Sequence, residues 1–123
     1  MKKFLAIYLG SEAGFEKAGW KTMDDATRKE RQRQGVQAWE RWGEEHASSI
    51  VDQGTPIGKT KRVDGAGISN IKNAIAAYVV VEAESHEAAA RLFERHPHFT
   101  LFPGEAVEVM ECLDLAQVKA RNS

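Results

Sequence analysis

Ala76-Ala77-Tyr78-Val79-Val80-Val81-Glu82-Ala83 runs through Glu84 straight into Ser85-His86-Glu87, with Ala88, Ala89, Leu92 and Phe93 following. The first eight residues are β-branched and nearly continuous in apolar side chains, the pattern of a central strand. Ser85 is a capping residue, Glu87 suits the positive end of a helix, and the alanines with Leu92 and Phe93 make one apolar face. Strand gives way to helix at Ser85, and Pro97 is expected to stop that helix at His96.

Upstream, Phe4 to Leu9 reads as a first strand, with Leu5, Ile7 and Leu9 on one face and Phe4, Ala6 and Tyr8 on the other. Both faces are apolar, so both need cover, and one layer of helices supplies only one. Gly10 to Lys21 is expected to be a loop tucking Phe15 and Trp20 against the body. Thr22 or Asp24 then caps a helix reaching about Ala47, whose stripe is Val36, Trp39, Trp42/Gly43 and His46. Gly35 weakens its middle by about 1 kcal/mol relative to alanine and suggests a bend or a close approach.

Between the helix and the central strand, Ile50 to Ile57 predicts a short or edge strand interrupted by Gly54 and Pro56. Lys59 to Val63 continues extended, Asp64-Gly65-Ala66-Gly67 is a turn, and Ile68 to Asn73 reads as a mobile surface connection. Downstream, Pro103-Gly104 turns the chain into a last strand, Ala106 to Leu113. The order of strands and helices is the split βαβ pattern of a ferredoxin-like α+β sandwich, an antiparallel sheet with two helices on one face. It predicts one domain, residues 1–115, with a polar tail, 116–123. The face away from the helices is expected to carry Phe4, Ala6, Tyr8, Tyr78, Val80 and Met110, and to meet a second copy, giving a homodimer.

A chain of 123 residues suits one domain of about this kind. Its 17 basic and 18 acidic side chains nearly cancel, which argues against nucleic acid or an anionic membrane as partner. No signal-peptide pattern follows Met1-Lys2-Lys3, and Ala74 to Val81 is too short to span a bilayer, so the expected location is cytoplasmic. The single cysteine, Cys112, excludes an internal disulfide and is expected to fill space within a strand.

His96-Pro97-His98 is the sharpest local feature. In an extended backbone, residues two apart project to one side, so the pair could begin a metal site that His46, Asp52, Glu82 or Glu108 would complete. The alternative makes His96 a cap on the second helix and His98 a surface contact, and neither a metal nor another cofactor is expected. Glu82 and Glu108 are expected on adjacent strands of the open face, solvated or bonded across a dimer, or serving as acid or base. Tyr8, Trp39, Trp42, His46, His96 and His98 can line a ligand pocket, although the helix spacing equally suits an ordinary core. Gly54-Thr55-Pro56-Ile57-Gly58-Lys59-Thr60 imitates a phosphate loop but is one residue short between glycines and loses a donor at Pro56.

Tyr8, Ala38-Trp39-Glu40-Arg41-Trp42, Val51-Asp52-Gln53-Gly54-Thr55-Pro56, Tyr78 to Ser85, and His96-Pro97-His98 with Pro103-Gly104 and Val107-Glu108-Val109 together resemble the YCII-related family. The resemblance implies a dimeric α+β barrel of ferredoxin-like protomers, bacterial and cytoplasmic, mostly of unassigned activity. Lyase-type relatives rely on a first-helix histidine and an aspartate just before the proline that ends the second helix. Here those positions hold Gln37 and His96.

Two functions follow as expectations. The first is a small dimeric domain binding an organic or anionic molecule between helices and sheet. The second is a lyase-type enzyme in which His96 or His98 moves a proton, oriented by Glu108 or Asp52. A purely structural interaction module is a third, because fold does not fix function.

Overall fold

The computed structural model describes residues 1–10 and 19–122. Six strands are present: β1 (Lys2–Leu9), β2 (Ile50–Asp52), β3 (Thr60–Asp64), β4 (Gly67–Ile71), β5 (Ile75–Ala83) and β6 (Ala106–Glu111). Four helices accompany them: α1 (Asp25–Glu45), α2 (His86–Arg91), α3 (Pro97–Thr100) and α4 (Leu115–Asn122). The main sheet has the order β2-β5-β1-β6, antiparallel throughout. This is an α+β fold of the ferredoxin-like kind, with a separate β3-β4 hairpin inserted before the central strand.

Alternation along the paired strands decides which face is covered. Phe4, Ala6 and Tyr8 lie opposite Val81, Val79 and Ala77 on β5 and are buried with Trp42, Ala89 and Phe93 of the helical layer. The expectation that these three belong to the open face is therefore reversed. Leu5, Ile7 and Leu9 occupy that face instead, sharing it with Tyr78, Val80, Glu82, Glu108 and Met110. Both sets are apolar enough to be core, and only the helices' side settles the choice. Glu82 and Glu108 are on that one face but not on adjacent strands, because β1 separates β5 from β6.

Asp24 caps α1, its carboxylate accepting the Thr27 amide at 2.7 Å. Gly35 is a close approach rather than a bend, since an added Cβ would lie 2.5 Å from the Phe102 ring. Trp20 is buried beside the same ring; Phe15 lies outside the described residues. Val36, expected in the buried stripe, is 47% exposed.

The second helix is shorter than Pro97 alone implies. Ser85 caps it as expected, but regular helix ends at Arg91, and the next amides bond three residues back in tighter turns as far as Glu94. Arg95 then adopts a left-handed conformation, φ 57°, which turns His96 inward. Pro97 is the first residue of α3, where its missing amide costs nothing. His86 donates from Nε2 to the Val109 carbonyl at 2.7 Å, tying α2 to β6.

Ile68–Asn73, expected to be a mobile surface connection, instead carries most of β4 (Gly67–Ile71). The Asp64 carboxylate accepts the Ala66 amide at 2.8 Å and Gly67 takes φ 120°, closing a hairpin that registers Val63 against Ile68. The hairpin is exposed along nearly its whole length, so burial leaves no alternation in its sequence. Cys112 is exposed just beyond β6 rather than filling space. At the C-terminal end, Asp114 and Gln117 exchange side-chain-to-amide bonds of 2.7 and 2.8 Å, a reciprocal cap that starts α4.

Candidate functional site

A cavity of about 440 Å³ opens between α1, the sheet and the segment after α2. Tyr8, Trp39 and Phe102 supply aromatic walls, Val36, Pro56, Ala76 and Ala77 add apolar lining, Glu40, Gln53, Thr55 and His98 are its polar members, and Tyr78 borders it from the strand. A second cavity of about 470 Å³ shares Tyr8, Trp39, Glu40, Gln53 and Gly54 with it and adds Trp42. Neither is lined by lysine or arginine.

His96 sits beneath this cavity rather than in it. It is 0% exposed, and its ring lies 4.5 Å from Trp39, 4.7 Å from Trp42 and 5.0 Å from Tyr8 between centroids. As the cap of α3 it accepts the His98 amide at Nδ1, at 2.9 Å. Burial, with smaller contributions from His98 and His46, lowers its pKa from 6.5 to about 3, so the ring is neutral. A neutral imidazole that accepts at Nδ1 must carry its proton on Nε2. That proton is donated to the Tyr8 hydroxyl oxygen, 3.2 Å away. Tyr8 consequently accepts this bond and keeps its own hydroxyl proton unspent among the described residues. Burial also raises the Tyr8 pKa far above its ordinary value, so the phenol stays protonated.

His98 is held differently. Its Nε2 lies 2.7 Å from the Leu9 carbonyl, which can only accept, so the proton is on Nε2. Burial pushes its pKa down, against a smaller opposing effect of that hydrogen bond. The neutral ring then presents a lone pair at Nδ1, and the residue lines the first of the two aromatic cavities. Gly104 permits this position: a Cβ there would overlap the His98 ring and carbonyl.

The six expected pocket residues are thus neighbours with different duties. Tyr8, Trp39 and His98 line the first cavity and Trp42 the second, its indole N–H donating to the Leu92 carbonyl at 2.8 Å. His46 caps the end of α1 and packs on Trp42 with rings tilted by 54° and centroids 5.1 Å apart, without lining either cavity. His96 cannot serve as base or metal ligand as it stands, since both ring nitrogens are engaged and the ring is sealed. The His-x-His geometry is also not extended, because His98 already belongs to α3. Among the described residues no group of three or more histidine, cysteine, aspartate or glutamate side chains is placed to hold a metal.

The two carboxylates expected to orient a histidine lie elsewhere. Glu108 pairs with Ile7 on the sheet's far face, while its neighbour Val107 lies beside Tyr8. Asp52 is exposed and accepts the Gly54 amide at 2.9 Å, shaping the turn at Gly54, φ 65°, where a Cβ would overlap the Tyr78 carbonyl. Gln37, at the counted position of the relatives' first-helix histidine, is exposed and off the cavity. Glu40, which the sequence reading did not single out, does line it, as its place beside Trp39 and one turn after Val36 allows. Gln53 and Pro56 arrive through the bridge pairing Pro56 with Ala77, which no local pattern announces.

No family model matches the chain, and no curated protein matches it. Among solved structures, it is similar to the 5-chloro-2-hydroxyhydroquinone dehydrochlorinase of Burkholderia phenoliruptrix AC1100, in complex with 2,5-dihydroxybenzoquinone. The TM-score is 0.55 at 15% sequence identity, over 94% of this chain and 97% of that one. The two share a fold. Among the described residues, no helix is long and apolar enough to cross a membrane.

Proposed function

We propose that this protein is a YCII-related, lyase-type enzyme acting on a small, flat, hydroxylated organic molecule, with His98 as general base. The observation that carries the reading is the fixed tautomer of His98: Nε2–H is tied to the Leu9 carbonyl, leaving Nδ1 as the base. Its lowered pKa keeps it unprotonated at neutral pH. A substrate hydroxyl loses its proton to Nδ1, and the oxygen's electron pair forms a carbonyl as the protonated His98 returns that proton to the ring carbon bearing the leaving group. Loss of a second hydroxyl proton to Nδ1 then forms the second carbonyl and expels the leaving group with its bonding pair. The free Tyr8 hydroxyl proton is suited to an oxygen or departing anion, and Glu40 accepts from a second hydroxyl. Aromatic walls and the absence of a lining cation favour a neutral compound over an anion. The related fold of a dehydrochlorinase bound to a dihydroxybenzoquinone supports this substrate class.

The same residues serve the binding-only alternative, which the remote positions of Glu108 and Asp52 favour. Residues 1–115 act in this proposal as one cytoplasmic domain, paired with a second copy through the open sheet face. The test is turnover of halogenated and unhalogenated hydroxyhydroquinones, followed by quinone absorbance, with Trp39 fluorescence as an independent binding signal. His98→Ala should lower turnover about 10²- to 10⁴-fold while ligand still quenches the tryptophan. Quenching without turnover in the unaltered protein would sink the enzymatic reading and leave the binding one.

A further inference from the structure

Beside the β3-β4 hairpin lies a cavity of about 640 Å³ that the histidine pocket does not include. Lys59, Thr60, Lys61, Asn70, Lys72 and Asn73 line it, and none of its lining residues is acidic. The side-chain acceptors there are already engaged. Asn70 Oδ1 takes the Lys61 ammonium at 2.8 Å, Thr60 Oγ1 takes the Asn73 amide nitrogen at 3.1 Å, and Asn73 Oδ1 takes the Ile75 amide at 2.9 Å. What remains unspent is donors: the Asn70 amide nitrogen, the Thr60 hydroxyl proton, and the ammonium groups of Lys59 and Lys72.

The hairpin brings its lysine side chains to one cavity. Thr60 lies opposite Ile71 and Lys61 opposite Asn70; Lys59 and Lys72 flank the end of this ladder, and both line the cavity. Arg62 is neutralised by Asp64 at 3.1 Å, whereas Lys59 and Lys72 have no such partner among the described residues. A cavity lined by three lysines and no acidic side chain calls for an anion.

We propose that this cavity is a binding site for a small, multiply charged anion bearing phosphoryl or carboxylate groups. Gly58-Lys59-Thr60, the tail of the phosphate-loop imitation, enters the site by another route. A strand follows it rather than a helix, so side chains, not amides at a helix N-terminus, supply the donors. The site stands independently of the catalytic reading, because His98 is not among its lining residues.

Isothermal titration of the full chain with pyrophosphate and, separately, with citrate tests it at low and at physiological salt. The expected result is saturable one-to-one uptake of at least one probe, weaker at the higher salt and weakened about tenfold or more by Lys59→Ala/Lys72→Ala. Pyrophosphate uptake supports the phosphoryl form of the proposal and citrate uptake the carboxylate form. His98→Gln should leave the uptake unchanged. The proposal is overturned if neither probe saturates, if the double lysine variant binds as well as the parent, or if His98→Gln abolishes binding.

Discussion

Acidification from pH 7 to pH 5 should weaken the fold through His96, a group that takes no direct part in the proposed chemistry. Its folded pKa is about 3 and its ordinary value 6.5. Between those values the unfolded chain holds a proton that the folded chain refuses, so stability rises with pH across the window. The contribution is fully present above the unfolded value and is lost as pH falls towards the folded one. For one such site the loss from pH 7 to pH 5 is about 2 kcal/mol, a large share of a total stability of roughly 5–15 kcal/mol. His98 is shifted the same way and adds to the trend. Asp24 and Glu30, whose carboxyls are held low chiefly by hydrogen bonds from Thr27 and Arg33, titrate beneath this window. Urea unfolding at pH 7, 6 and 5 measures the loss, with His96→Asn as comparison. Asparagine retains an oxygen to cap α3 but does not titrate. The variant should be less stable at pH 7, having lost the Tyr8 bond and the ring's packing, yet its stability should fall less on acidification by about 2 kcal/mol. Parallel pH curves for the two proteins would refute the argument that His96 is buried and neutral.

Gly104→Ala places a Cβ into the His98 ring and carbonyl, and should cost about 1–3 kcal/mol in denaturant midpoint while lowering any His98-dependent turnover. Gly35→Ala sets two effects against each other: helix propensity gains about 1 kcal/mol, and overpacking against Phe102 costs about 1–3 kcal/mol. Thermal melting should show a net loss, and a stabilised variant would mean that Phe102 yields freely. Ile7→Glu on the open sheet face should convert a dimer to a monomer in sedimentation at micromolar protein; a monomeric parent protein would remove the dimer from the proposal.

The layers of this fold were readable because their causes are local. Ser85 and Asp24 cap where short polar side chains meet apolar periodicity, and the β5 run announces a central strand. The orientation of β1 was not readable, since Phe4-Ala6-Tyr8 and Leu5-Ile7-Leu9 are equally apolar and only packing against Trp42 and Phe93 distinguishes them. The hairpin was half visible. Its turn residues stand in the sequence, but an element with no buried face leaves no alternation to read in β4. At the site, the sequence grouped Tyr8, Trp39, Trp42 and His96, whose rings lie within about 5 Å of a neighbour in that group. It could not tell lining from support, because that depends on which ring nitrogen meets which neighbour.

His96 shows why the residue at a position and the work done there are separable. In the lyase-type relatives implied by the resemblance, an aspartate stands before this proline, and an aspartate there would be a good cap for a short helix. His96 keeps that duty: its Nδ1 accepts the His98 amide as a carboxylate oxygen would. What it does not keep is the negative charge. An anion beside His98 would favour the imidazolium and raise its pKa, whereas a neutral buried ring leaves burial as the leading influence, and that influence points down. A histidine here thus supplies the cap of α3 without placing a negative charge beside the next histidine. A base of this kind is weaker but is unprotonated at lower pH, and it is oriented by the Leu9 carbonyl instead of a carboxylate. Restoring the charge with His96→Asp should move the acid limb of a His98-dependent rate upward in pH, and a limb that stays in place would break the link between these two residues.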